Sequence, residues 1–225
     1  MKYNIERITA CAIEEVENAN FAATQQFLEV HQIVHDNGVP VVSRVDTETD
    51  DDNVTVYFPV QDEKFYFAVY LDTEPEISVR WVDTEDGHSV CFIVSSEILD
   101  AAALSAMTNL TPTVSWSKGS KWKNTERRRT VLRFEPNPEA DEFEDKIKKL
   151  LNYLLTDKEN IKRLVEGYDG NIQVISIFHN GNSMLGGVHL NKDIIRKLAV
   201  LNLSIDFDLY AEGNLFKEED DSWYE

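Results

Sequence analysis

The sequence predicts an α+β protein, with an N-terminal helix plus an antiparallel β-meander, followed by a ferredoxin-like α+β unit with duplicated β-α-β character. Near the start, runs rich in β-branched and aromatic residues are separated by short turns. Farther along, strand-like runs alternate with amphipathic segments of helical spacing. Hydrophobic residues make up 42% of the 225 residues, which is enough for packed cores.

The first part of the chain is expected to contain a helix and three strands. An irregular apolar stripe predicts a partly helical segment that ends at Asn37-Gly38. The strand-like runs are VTVYFPV (54–60), KFYFAVYL (64–71) and EISVRWV (76–82), which predict a meander. Because proline cannot donate to a strand ladder, Pro59 predicts an edge strand or a bulge.

A second unit is expected after the turn at Asp86-Gly87. The run HSVCFIV (88–94) predicts a strand, and either Ser95 or Ser96 could cap the helix that follows. TVLRF (130–134) predicts another strand, followed by a long amphipathic helical region. Thr156 and Glu159 have capping-box spacing, which predicts a break between two helices.

The last third repeats the alternation of strand and helix. NIQVISIF (171–178) predicts a strand that ends at the Asn180-Gly181 turn. A short strand after Gly186-Gly187 is expected to precede a helix capped by Asn191. In LSIDFDLY (203–210), the alternation predicts that the apolar side chains face the core, namely Leu203, Ile205, Phe207 and Leu209. Residues 90–116 and 187–210 both fit strand, cap, helix and strand, which suggests a duplicated β-α-β unit.

Charge and composition divide the chain unevenly. We expect an acidic helix and meander unit at 1–87, an α+β domain at 88–216 and an acidic tail at 217–225. Residues 1–87 carry a net charge of −14, out of −19 for the whole chain. Such a field repels nucleic acid and anionic membranes and attracts basic partners. The alternative is that the charge serves only solubility.

The compartment is expected to be the cytoplasm. The N-terminus lacks a basic segment followed by an apolar run, and no apolar run is long enough to cross a bilayer. Cys11 and Cys91 have no metal-ligand or disulfide pattern, and we expect both to act as small buried hydrophobes.

The segment from Ser89 to Tyr210 resembles an uncharacterised bacterial family, domain of unknown function 4279. Three segments carry the resemblance: the strand, cap and helix at 89–108, LTPTVSWSKGS at 110–120, and LNKDIIRKLAVLNLSIDFDLY at 190–210. The resemblance implies an α+β fold and no established activity. It also suggests a role as an immunity protein, because members of such families often lie near bacterial toxin genes.

Six of the twelve residues at 118–129 are Lys or Arg, close to Trp116 and Trp122. The stretch could bind nucleic acid, contact the protein's own acidic unit, or contact a protein partner. The net negative field disfavours nucleic acid. An intramolecular role is the preferred interpretation, with partner contact second.

Two segments resemble metal-binding motifs, but neither predicts a metal site. His31 and His35 lie four apart on a predicted helix, but Gln32 replaces the glutamate of a zinc-protease motif. We therefore expect a surface pair without metal. The acidic run 46–53 lacks the glycine and glutamate of a calcium loop, so a solvated loop is expected.

No catalytic residue, cofactor or metal is expected, and three functions remain open. The first is a non-enzymatic protein-binding module, such as an immunity protein that occludes a basic toxin. The second is an enzyme for a small or sugar-like substrate, with a pocket of Asp206, Asp208, Tyr210 and His189. The third is a nucleic-acid mimic. The oligomeric state stays open. For the first function, the expected contact residues are Asp46, Glu48, Asp50, Asp51, Asp52, Asp72, Glu74, Asp83, Glu85, Trp116 and Trp122.

Overall fold

The computed structural model describes residues 4–48, 53–182 and 187–217 of the chain. The helices are α1 (Ile5–Asn18), α2 (Ala22–Leu28), α3 (Ala101–Ser105), α4 (Phe143–Leu155), α5 (Lys158–Gly167) and α6 (Lys192–Leu201). The strands are β1 (His35–Asp36), β2 (Val39–Pro40), β3 (Arg44–Asp46), β4 (Asn53–Pro59), β5 (Tyr66–Asp72), β6 (Ser78–Glu85), β7 (Gly87–Ser96), β8 (Val114–Trp116), β9 (Lys121–Trp122), β10 (Thr125–Glu126), β11 (Thr130–Phe134), β12 (Asp169–His179) and β13 (Ile205–Glu212).

The chain forms two compact units. Among the described residues, the first unit contains those up to Gly87 together with 177–182 and 209–217. The second contains 88–176 and 187–208. Strands β12 and β13 therefore each begin in the second unit and end in the first. Helices and antiparallel strands together make the fold α+β, as the sequence predicts.

The first unit is a helix-covered antiparallel sheet in the strand order β3-β4-β5-β6. Strands β4 and β5 pair along their full length, from Asn53 opposite Asp72 to Pro59 opposite Tyr66. Because alternate residues point to one face, these strands offer an apolar face to α1. The buried residues of this core include Ile8, Ala12 and Val16 of α1, Val54, Val56 and Phe58 of β4, and Phe67, Val69 and Leu71 of β5.

Two expectations for the first unit are wrong. Helix α2 ends at Leu28, and Asn37-Gly38 turns the hairpin between β1 and β2. Both turn residues have positive φ, 50° and 83°, which suits a two-residue hairpin turn rather than a helix end. Strand β4 lies between β3 and β5, and not at an edge. Pro59 is accommodated because it is the last residue of β4.

The second unit is built on a sheet in the order β13-β12-β7-β11-β8. Strands β7, β8, β11 and β12 with their intervening helices follow the β-α-β-β-α-β sequence of the ferredoxin-like motif. Strand β11 separates β7 from β8, and β7 separates β11 from β12, so both β-α-β units are split. Side chains of α4, α5 and α6 share one buried cluster with the sheet, including Phe92, Leu132, Phe134, Ile147, Leu150, Leu164, Ile194 and Leu198.

The duplicated unit is not at the positions that the sequence suggests. Residues 187–190 form no strand, so α6 follows β12 directly in the element order. The second β-α-β unit instead consists of β11, the helices α4 and α5, and β12. Asn191 does cap α6, because its Oδ1 accepts from the amides of Asp193 and Ile194.

Other predicted helix caps are not formed. Ser95 and Ser96 pair with β11 as the last residues of β7, and Asp100 caps the short α3. The break between α4 and α5 is present, but Thr156 donates its hydroxyl to the carbonyl of Tyr153 and makes no capping box. Spacing alone reveals neither the strand pairing of the two serines nor the local bond of Thr156.

Strand β13 follows the predicted alternation only in part. Leu203, just before β13, and Ile205 and Phe207 pack partly buried against the core of the second unit. Leu209 is 61% exposed, so its predicted inward position is wrong. Both cysteines are free; Cys91 is buried, whereas Cys11 is only partly buried.

Candidate functional site

An aromatic pair connects β5 with β6, which is the last strand of the first sheet in the described residues. Trp81 is 53% exposed and is directly opposite Tyr70 of β5. The two ring centres are 5.1 Å apart at an interplanar angle of 80°, an edge-to-face contact. This contact orients Trp81, and the guanidinium of Arg80 lies 5.7 Å from its ring centre, while about half of its surface is exposed.

Two predicted carboxylates share that face of the sheet. Asp83 and Glu85 follow Trp81 at two-residue intervals, so the three side chains point to the same side. Tyr70 donates its hydroxyl hydrogen bond to Glu85 Oε1. Asp83 is exposed and accepts from the amide of Thr84 at 2.7 Å. We call Tyr70, Trp81, Asp83, Glu85 and the neighbouring Asp86 the acidic aromatic surface.

Burial and like charges shift the pKa values of this surface. Burial raises the pKa of Tyr70 far above its ordinary range, and the carboxylate of Glu85 adds to the effect. The pKa of Asp86 rises to about 6, mainly because of burial and also because of Asp83. Tyr70 therefore remains a hydrogen-bond donor, whereas Asp86 changes charge in mildly acidic solution.

The other predicted acidic contacts have different surroundings. Asp46 is only 3% exposed and is paired with Arg44 at 3.1 Å, so it does not belong to an exposed acidic surface. Glu48 lies 3.5 Å from the same guanidinium. Asp72 ends β5 within 3.9 Å of Arg80, and Glu74 is exposed in the following turn. Asp50, Asp51 and Asp52 are outside the described residues.

Trp116 and Trp122 belong to the basic stretch of the second unit. The guanidinium of Arg127 lies 3.9 Å from the ring centre of Trp116 and 5.7 Å from that of Trp122. The ammonium of Lys123 is 5.1 Å from the ring of Trp122. Lys123 and Arg127 therefore lie over Trp122 of the β9–β10 hairpin, and Arg127 also lies over Trp116 at the end of β8. We call residues 116–129 the basic hairpin.

The ion pairs described for the basic hairpin are made by Arg129. Its guanidinium lies 2.8 Å from Asp169 and 3.6 Å from Glu97, and both carboxylates belong to the second unit. The predicted role of this stretch in contacting the N-terminal acidic unit stays a prediction.

The alternative pocket residues lie on strand and loop surfaces. Asp206 accepts from the side-chain amide of Asn171, and Asp208 accepts from that of Gln173 at 3.0 Å. Tyr210 is 49% exposed. The exposed His189 lies in the segment before α6, where its amide bonds to Glu144. None of the four lines the clefts described around His31, around Pro75 or around Ile98.

The predicted histidine pair is not formed. His31 lies beyond the end of α2 and is buried, whereas the exposed His35 is in β1. The partner of His31 is His179, 148 residues away, and their Nε2 atoms are 2.9 Å apart. Burial lowers the pKa of His179. Nothing in the local sequence pattern could reveal a contact over such a separation.

Tyr70, Trp81 and Asp86 are not among the contact residues that the sequence predicts. The alternation of β6 is a local signal only for Trp81, which it places on the same face as Asp83 and Glu85. In the described ranges, no group of three or more His, Cys, Asp or Glu side chains is arranged to hold a metal ion. No helix in the same ranges is long and apolar enough to span a membrane.

These features define an α+β protein with an acidic, aromatic strand surface in one unit and a ferredoxin-like arrangement in the other. The model of one family, Domain of unknown function (DUF4279), matches residues 86–212. This segment is more than half of the chain, and the protein belongs to that family. No curated protein and no solved structure matches the chain.

Proposed function

We propose that the protein is a binding module for a basic protein partner and that the acidic aromatic surface is its contact site. The observation that carries the proposal is Trp81, half exposed on the last described strand of its sheet and bordered by Asp83. Tryptophan is one of the residues that most often dominate protein interfaces. An exposed carboxylate beside it favours a lysine or arginine on the partner.

Charge supports the choice of a basic partner. The unit that contains Trp81 includes residues 1–87, whose net charge is −14. A field of this sign accelerates the approach of cationic proteins and slows that of nucleic acids. Long-range attraction would bring the partner close, and Trp81 would provide apolar contact area once water is expelled.

Neutralisation of a basic toxin is the specific form of this proposal. The protein would act by occlusion, covering a functional basic surface of the toxin without chemical change. The resemblance to the family motivates this version, because members of such families often lie near bacterial toxin genes. It predicts that the bound partner loses its activity in a one-to-one complex.

The test uses two tryptophans of equal exposure. A partner is first isolated from native lysate by retention at low salt and release at high salt, and its affinity is then measured with purified proteins. We expect Trp81→Ala to weaken binding by at least about tenfold, as for an interface anchor. Trp122→Ala is the matched control, because Trp122 is 54% exposed but lies in the basic hairpin.

The two variants also show how the proposal fails. Equal affinities for wild type and Trp81→Ala would remove the acidic aromatic surface as the site. Affinity lost only in Trp122→Ala would move the site to the basic hairpin. Binding that does not weaken between low and high salt would contradict electrostatic attraction.

A further inference from the structure

Two imidazole rings and one main-chain carbonyl converge in the first unit. His31 Nε2 and His179 Nε2 are 2.9 Å apart. The carbonyl oxygen of Asn214 lies 2.8 Å from His179 Nε2 and 3.3 Å from His31 Nε2. The two histidines are only 6% and 1% exposed. Three atoms that carry lone pairs therefore form a small triangle in a buried environment.

Protons alone do not satisfy this triangle. A neutral imidazole carries one N–H, and a carbonyl oxygen only accepts. If His31 Nε2 donates to His179, the lone pair of His179 faces the Asn214 oxygen at 2.8 Å. If His179 donates to Asn214, the Nε2 of His31 either directs a lone pair at that oxygen or directs a second N–H at His179. If His179 shares its N–H between both acceptors, the remaining unfavourable contact is that of the His31 Nε2 lone pair with the Asn214 oxygen at 3.3 Å.

A metal ion would satisfy all three atoms at once. Zinc binds imidazole nitrogen at about 2.0–2.1 Å in tetrahedral sites, which places neighbouring ligand atoms about 3.4 Å apart. The edges of the triangle are 2.9, 2.8 and 3.3 Å, so shifts of a few tenths of an ångström would complete the geometry. We propose that His31 Nε2, His179 Nε2 and the carbonyl oxygen of Asn214 bind a divalent transition-metal ion of the zinc type.

Two glycines let the backbone approach the imidazole rings closely. Gly213 has a φ of +89°, and a Cβ there would lie 3.0 Å from His31 Cε1 and 2.8 Å from the ring of Phe65. A Cβ at Gly181 would lie 2.5 Å from His179 Cε1. The chain therefore places the Asn214 carbonyl at the rings, where a larger residue at position 213 would clash.

Neighbouring contacts fix the orientation of the three groups. Phe27 stacks on His31 with ring centres 4.9 Å apart, and Phe216 packs on His179 at 4.6 Å. The side-chain amide of Asn214 donates to the carbonyl of Val30 at 2.9 Å. These contacts reduce the reorganisation needed when an ion binds. Among the described residues, however, the buried Nδ1 of His179 has no hydrogen-bond partner, whereas metal-binding histidines usually donate this second N–H to an acceptor.

A cleft with carboxylates in its lining borders two of the three groups. Its volume is about 410 Å³, and its lining includes His31, Asn214, Asp62 and Glu63 but not His179. The carboxylates attract cations, and water in the cleft would supply the remaining position of a tetrahedral ion. With only two side-chain ligands, the site should bind zinc more weakly than a site with four.

The test is a zinc titration of chelator-treated full-length protein against a chromogenic competitor. We expect one ion per chain in the wild type and at least about tenfold weaker binding in both His31→Gln and His179→Gln. His189→Gln is the matched control because His189 is an exposed histidine, and it should bind as the wild type does. Wild type that binds no zinc at about 100 µM, or full binding by both glutamine variants, would overturn the proposal.

A second measurement covers the case in which the glutamine variants do not fold. X-ray absorption of the wild-type protein with one equivalent of zinc should show two imidazole ligands. A spectrum with oxygen ligands only would place the ion on surface carboxylates and would overturn the proposal without any variant. The outcome is independent of partner binding, because none of the three ligand groups belongs to the acidic aromatic surface.

Discussion

Trp81 and Trp122 expose nearly the same fraction of their surface, 53% and 54%, and each has an arginine guanidinium 5.7 Å from its ring centre, but their other neighbours differ. Trp81 meets the edge of Tyr70 and shares its strand face with carboxylates. Trp122 meets Lys123 and Arg127 of its own hairpin. Neither exposure nor a nearby arginine therefore distinguishes the two rings. They differ in their remaining neighbours, which are Tyr70 and carboxylates for Trp81 and a second cation, Lys123, for Trp122.

The largest effect is expected for the hydrogen bond beneath Trp81. Tyr70→Phe removes the hydroxyl that donates to Glu85, and we expect the free energy of unfolding to fall by about 2 kcal/mol. Denaturant unfolding measures the change. Tyr210→Phe is the control, because Tyr210 is half exposed, and it should differ from wild type by less than about 0.5 kcal/mol. Equal losses in both variants would show that the Tyr70 hydroxyl has no special role.

A smaller, pH-dependent effect is expected at Asp86. Its pKa in the folded protein is about 6 against an ordinary 3.8, so the folded chain holds the proton more tightly than the unfolded chain. Stability from this group is present below about pH 4 and is lost as pH rises through 6.

Asp86→Asn has no carboxyl group at position 86, so this variant should not lose that stability as the pH rises. We expect the variant to gain stability over wild type between pH 4 and pH 7, by about 1 kcal/mol after allowance for solvent screening. Thermal unfolding at the two pH values measures the gain, with Asp36→Asn as an exposed control. A gain that is the same at both pH values would contradict the raised pKa.

The smallest effect is expected in the basic hairpin. Arg127→Ala removes the guanidinium that lies over Trp116, and we expect a loss of about 0.5–1 kcal/mol in urea unfolding. Arg128→Ala is the control, since Arg128 is an exposed neighbour of the same charge. If Arg127→Ala and Arg128→Ala lost the same free energy of unfolding, net charge rather than stacking on tryptophan would stabilise the hairpin.

Much of the fold follows from local patterns. The meander strands were predicted because alternating apolar residues and short turns are local signals. The short β3 was missed, since three residues carry too little pattern. The hydroxyls of Ser95 and Ser96 favour a helix cap, but pairing with Val131 and Thr130 of β11 keeps both residues in a strand.

The candidate site could be predicted only in part. Asp83 and Glu85 were identified through their acidic tripeptide, which depends on neighbouring residues alone. The pairing of Trp81 with Tyr70 depends on strand register, and that register shifts between Tyr70 and Leu71. A spacing of four residues suggested His35 as the partner of His31, whereas packing brings in His179.

The first unit is formed by chain segments that are far apart in the sequence, and this order determines when the unit can be completed during synthesis. A ribosome delivers residues 1–87 first, whereas residues 177–182 and 209–217 of the same unit emerge much later. Phe216, from the last of these segments, packs against the core that contains Phe27 and Phe65. The strands of the N-terminal sheet can pair before then, because all four lie within residues 44–85. A stop codon before residue 209 would remove the later segment and leave the core without Phe216.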